Sequence, residues 1–109
     1  MKLTNFKISE FDSPDLIGSG EEMKANFLTK LQTARTLAGY PFSINSGYRT
    51  KEHNKKVGGT SNSSHLKGLA CDIAISNSSE RSIILVALLA AGFTRVGIGS
   101  NFIHADDDS

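Results

Sequence analysis

The stretch SSHLKGLACDI, residues 63–73, sets an imidazole, His65, seven positions ahead of a carboxylate, Asp72, with small or apolar residues between them. A single helix cannot present both groups, because Gly68 interrupts it and Ser, Asn and Gly crowd positions 58–64. His65 is therefore expected to end a loop, and Asp72 to lie on the strand that follows. If residues 67–75 form that strand, its period of two puts Gly68, Ala70, Asp72 and Ala74 on one face, and Leu69, Cys71, Ile73 and Ile75 on the other. The second face is core, and it takes Cys71 with it as a small buried hydrophobe rather than a ligand. On the first face Asp72 is the single charge among very small neighbours, which leaves room for something to sit against its carboxylate.

The flanking sequence alternates helical and extended patterns. Upstream, Phe6, Ile8 and Phe11 suggest a short packed segment before a turn-rich loop through Pro14, Gly18 and Gly20. Ser19-Gly-Glu-Glu22 has capping-box spacing, and Met23, Phe27, Leu28, Leu31, Ala34 and Leu37 recur at helical intervals until Gly39, so a helix is expected there. PFSIN (41–45) alternates as a strand, SGYRT turns, and KEHNKKV reads as a short polar helix closed by Gly58-Gly59. Downstream, NSSE (77–80) opens a second apolar helix carrying Ile83, Ile84, Val86, Leu88 and Leu89 and ending at Gly92. FTRVGIG and FIHAD then read as two short strands joined near Ser100. On the last strand His104 and Asp106 share a face with Phe102, and Ile103 packs behind.

Composition narrows the function. The chain has 109 residues, 39% of them hydrophobic, enough for one modest core and a single domain. Twelve Lys and Arg against eleven Asp and Glu leave a formal charge of +1, with no basic run to suggest nucleic acid or an anionic membrane. The N-terminal MKLTNFKISEFDSPD has no apolar signal-peptide region, and no apolar span of about 18 residues occurs, so a soluble, cytoplasmically made monomer is expected. One cysteine excludes an intramolecular disulfide, and a metal site would rest on His and carboxylates.

Two histidines and one carboxylate make a hydrolytic zinc site with one position open. Taken singly, His65 also reads as a loop cap, Asp72 as a salt-bridge partner and His104 as a half-buried strand histidine.

The spacing Ser63-x-His65-x-x-Gly68-x-Ala70-x-Asp72 resembles the S-x-H-x-x-G-x-A-x-D signature of the zinc D-alanyl-D-alanine carboxypeptidases, relatives of phage cell-wall endopeptidases and of the hedgehog zinc domain. INSGYRT (44–50) is similar to the family's S-G-Y-R segment, and FIHAD (102–106) to its closing H-x-D, so the resemblance spans roughly residues 5–106. It implies an α+β fold, a small, mostly antiparallel sheet flanked by two principal helices. It implies one zinc held by His65, Asp72 and His104, and hydrolysis of D-alanyl bonds in peptidoglycan peptides. Arg49 would hold the substrate's carboxylate or a carbonyl oxygen, for which a guanidinium fork is suited. Ser63, and with less claim Ser64, would contact substrate or satisfy local backbone, and Tyr48 would line the cleft or pack. His53 reads as an exposed helix residue.

One position departs from the pattern. Relatives often carry an acid three residues before the last histidine, where this chain has Asn101. Asp106 is the substitute, either as general base or as an acceptor orienting a ligand imidazole. Relatives also commonly continue past this histidine into another strand, where this sequence closes on DDDS.

Overall fold

The structure, a computed structural model, describes residues 3–108. Two principal helices, α1 (Ala25–Ala38) and α3 (Ser78–Ala90), pack on one face of an antiparallel sheet of β1 (Ile44–Ser46), β2 (Ala70–Ala74), β3 (Arg95–Ile98) and β4 (Phe102–Asp106). The strand order is β1-β2-β4-β3, and a short helix α2 (Lys51–Lys56) follows β1. The α+β architecture expected from the sequence is present. No helix among the described residues is long and apolar enough to cross a membrane.

Strand alternation divides the sheet as the sequence requires. Cys71, Ile73, Ile103 and Ala105 are fully buried and join Phe27, Leu31, Ile84, Leu88 and Phe93 in one core. The β2–β4 register sets Asp72 directly opposite His104 and Ala70 opposite Asp106. Directly opposed residues project from the same face, so this register brings a carboxylate and an imidazole together on the side away from the helices.

The first helix begins later than its sequence suggests. Ser19–Glu22 forms a separate 3-10 turn, and α1 starts at Ala25. Tertiary contacts explain the break. The Ser19 hydroxyl accepts from Ser13 N–H instead of capping a helix, and the Asp12 carboxylate accepts from Gly18 and Gly20 N–H. Met23 is still buried, but Leu37 on α1 and Val86 and Leu89 on α3 remain more than half exposed, so the apolar periodicity overstates the core face of both helices.

Burial pushes the Cys71 thiol up, with the neighbouring Asp72 charge adding to the shift, so the sulfur stays a neutral core atom. Cys71→Ala should therefore cost about 1–2 kcal/mol of stability and, because the side chain faces away from Asp72 and His104, leave binding of any metal on their face unchanged. A loss of metal binding on that substitution would contradict the register described above.

Candidate metal centre

His65 sits on a 3-10 turn, Ser64–Lys67, rather than in open loop. The turn is capped at its start by Ser63, whose hydroxyl accepts from His65 N–H at 3.2 Å. It closes at Gly68, in the left-handed region at φ +70°, where a Cβ would collide with the Glu22 carbonyl oxygen. Glycine is thus required there twice over, once for conformation and once for space. Arg49 N–H donates to the His65 carbonyl and ties the SGYRT segment to the same turn.

The His65 ring is 3% exposed, and its Nδ1–H donates to the Gly47 carbonyl at 2.8 Å. That bond turns Nε2 toward Asp72, 3.4 Å from its Oδ1. His104 is arranged in the opposite sense. Its Nε2 lies 2.7 Å from Asp106 Oδ2, and its Nδ1 lies 2.9 Å from Asp72 Oδ1. The two ring centroids are 5.3 Å apart. One donor atom from each of His65, Asp72 and His104 falls within 4.8 Å of the others, and no other such group occurs among the described residues.

The electrostatics match this geometry. Burial would raise the Asp72 carboxyl, but hydrogen bonds from His104 and His65 more than offset it and hold Asp72 well below the usual carboxylate range. The hydrogen bond to Asp72 raises the His104 pKa against a smaller opposing effect of burial. His104 thus faces Asp106 through Nε2 and Asp72 through Nδ1, and His65 Nε2 meets the same Asp72 oxygen. Two imidazole nitrogens and a carboxylate converging in this way are held together by positive charge, either ring protons or a shared metal cation. A set of two imidazoles and one carboxylate suits borderline-soft zinc. The two remaining ring nitrogens carry the carbonyl and carboxylate partners that metal-bound histidines routinely use.

Arg49 lies beside the cluster. Its Nη2 is 3.5 Å from Asp72 Oδ2, its Nε donates to Ser46 Oγ and its Nη1 donates to Asn54 Oδ1, both at 3.2 Å. Asn54, 3% exposed on α2, also donates to the Thr60 carbonyl and so fixes the guanidinium against the 58–60 loop. A cleft of about 430 Å³ opens over these groups, walled by Gly58, Gly59, Thr60 and Ser63 on one side and by Gly97, Ile98 and Phe102 on the other. A larger cavity of about 580 Å³, lined by α2 and Leu66, holds none of the three clustered residues.

The other sequence candidates fall as follows. Ser63 lines the cleft while its hydroxyl caps the turn, and the Ser64 hydroxyl donates to Asp108. Tyr48 packs against the hydrophobic core and is not among the residues lining the cleft. His53 is half-buried on α2 and stands outside the cluster. Asn101 is exposed at the β3–β4 turn, where its carbonyl accepts from Ile75 N–H. Asp106 is 4% exposed with both oxygens engaged: Oδ2 by His104, and Oδ1 by Arg95 Nε at 2.7 Å and Asp108 N–H at 3.0 Å. Burial would raise its carboxyl, but the bonds from His104 and Arg95 hold it below its ordinary value.

Asn54, the Gly47 carbonyl and Arg95 were not singled out in the sequence. A polar residue at a buried position in the otherwise charged KEHNKK helix is the one signal that could have found Asn54.

The sequence model of the family described as peptidase M15 matches residues 4–106. A comparison with curated proteins finds no match.

Proposed function

The chain belongs to the peptidase M15 family, and from that membership we propose that it is a zinc-dependent hydrolase of D-alanyl peptide bonds in peptidoglycan stem peptides or their crosslinks. The observation that carries the reading is the convergence of His65 Nε2, Asp72 Oδ1 and His104 Nδ1, with the far nitrogen of each imidazole already bonded to an acceptor. Zinc held by these three would supply Lewis acidity, polarising the scissile carbonyl and acidifying water. Arg49, anchored by Ser46 and Asn54, offers its free N–H groups to a substrate carboxylate or carbonyl oxygen. Ile98 and Phe102 present apolar surface of the kind an alanyl methyl group would rest on.

A second, more polar cleft of about 380 Å³ lies beyond His104, lined by Thr60, Ser63, Ser64, Lys67 and Arg95 among others. Both clefts reach Thr60, Ser63 and His104, so peptide can extend on either side of the cluster, which favours including crosslinks among the substrates.

In this reading Asp106 orients His104 rather than acting as general base, because neither of its oxygens is free to take a proton from water. Asp106→Asn keeps an acceptor oxygen but loses the charge, and should weaken zinc binding about 10- to 100-fold in competition with a chromophoric chelator. If zinc affinity held while the rate fell about 10²- to 10⁴-fold, Asp106 would be the base.

Asn101 and the engaged Asp106 favour one other reading, a catalytically silent zinc-binding module that holds wall peptides. Zinc-loaded and chelator-treated protein incubated with muropeptides and read by mass spectrometry separates the two. The proposal predicts loss of terminal D-alanine or scission of crosslinks that the chelator abolishes. Intact muropeptides with zinc retained would support the silent module.

A further inference from the structure

The β3–β4 register places Arg95 opposite Asp106. Arg95 is an exposed side chain, 57% accessible, yet its Nε donates at 2.7 Å to a carboxylate that is 4% accessible. The same oxygen accepts from Asp108 N–H, and the other faces His104 Nε2. An unanchored carboxylate rotates freely about its terminal torsion and can present either oxygen at a range of angles. Here the guanidinium and the Asp108 amide occupy one oxygen, which leaves the second in a fixed direction.

We propose that Arg95 is a positioning residue for the metal centre: by pinning Asp106 it holds His104 with Nε2–H donated to the carboxylate and Nδ1 turned to Asp72, and so sets zinc affinity without touching metal or substrate. The inference rests on the reading of His104 as a ligand. Arg95 Nε and the Asp108 amide share one oxygen of Asp106, so the other keeps its place 2.7 Å from His104 Nε2, and a guanidinium holds a carboxylate more firmly than a neutral donor would. A buried carboxylate stripped of this partner would turn toward water and release the ring.

Two competing roles are available to Arg95. It lines the polar cleft beyond His104, where it could grip substrate, and it joins β3 to β4, where it could serve the fold alone. The full chain is therefore compared as parent, Arg95→Ala, Arg95→Lys and Asp106→Asn in four measurements: zinc affinity by chelator competition, solvent exchange of the His104 Nε2 proton in the zinc-loaded protein by NMR, the melting temperature of the zinc-free protein, and KM on a muropeptide. Arg95→Ala should weaken zinc about tenfold, the lower end of the effect of an outer partner, and speed exchange of that proton. Arg95→Lys should recover part of both. The zinc-free melting temperature should fall no further in Arg95→Ala than in Asp106→Asn, which loses the same ion pair.

Unchanged zinc affinity in Arg95→Ala, with Asp106→Asn weakened, overturns the inference and leaves the His104 assignment standing. The same result with a raised KM assigns Arg95 to substrate, and with a lowered zinc-free melting temperature assigns it to the fold. Unchanged affinity in Asp106→Asn as well overturns the orienting role of Asp106 and this inference with it.

Discussion

Asp72→Ala should reduce bound zinc from close to one per chain to near zero and take hydrolysis of wall peptides to background. Asp72 is the one acid of the cluster and the group on which the others converge, with His65 Nε2, His104 Nδ1 and Arg49 Nη2 all within 3.5 Å of its carboxylate. Without it, two imidazoles and a guanidinium face one another with no counter-charge, and a divalent cation would add to the repulsion. Stability should fall with the metal, because a ligand bound only by the folded state stabilises it, by about 2.7 kcal/mol at a concentration 100-fold above its dissociation constant. Elemental analysis of the purified variant gives the stoichiometry, and melting with and without zinc gives the linkage. Asp72→Asn keeps the shape and should fail nearly as badly, since the charge is what the site uses. Full zinc occupancy in either variant would remove Asp72 from the ligand set. Protons compete with zinc for His104, whose pKa the Asp72 hydrogen bond raises, so the parent's zinc affinity should rise as pH rises through neutrality.

Arg49→Ala should act in the opposite pattern. The guanidinium touches Asp72 from outside the imidazole pair, so zinc should stay near one per chain while kcat/KM on a muropeptide falls about 10²- to 10³-fold, the scale of losing one preorganised donor. Arg49→Lys should recover little. A lysine offers a point charge and cannot bond Ser46, Asn54 and substrate at once from a planar fork. Undiminished turnover in Arg49→Ala would make the residue an ion-pair partner of Asp72 and nothing more.

Much of the site was legible because it is written in side chains at fixed spacing. Alternation put Asp72 on the face opposite Cys71 and Ile73, and put His104 and Asp106 together on the last strand, and the sheet has this arrangement. What the sequence left out is carried by backbone and register. The Gly47 carbonyl that orients His65 has no side chain to read. The pairing of Arg95 with Asp106 depends on how β3 and β4 align. The closing acids are a similar case. Asp107 pairs with Lys30 and Asp108 with Lys67, each at 2.7–2.8 Å, while Asp106 takes Arg95, so three successive carboxylates fasten three different elements around the centre. Local spacing misled at Leu37, Val86 and Leu89, which stay exposed, and at Ser19–Glu22, where partners from residues 12 and 13 took the groups that a helix cap would have used.

Anomalous diffraction at the zinc edge, from crystals of the protein grown with zinc, tests the metal centre most directly. A single peak is predicted at about 2.0–2.1 Å from His65 Nε2 and His104 Nδ1 and about 2.0–2.2 Å from an Asp72 oxygen, with His104 Nε2 still against Asp106. A peak elsewhere on the chain, or coordination through His104 Nε2, would contradict the account.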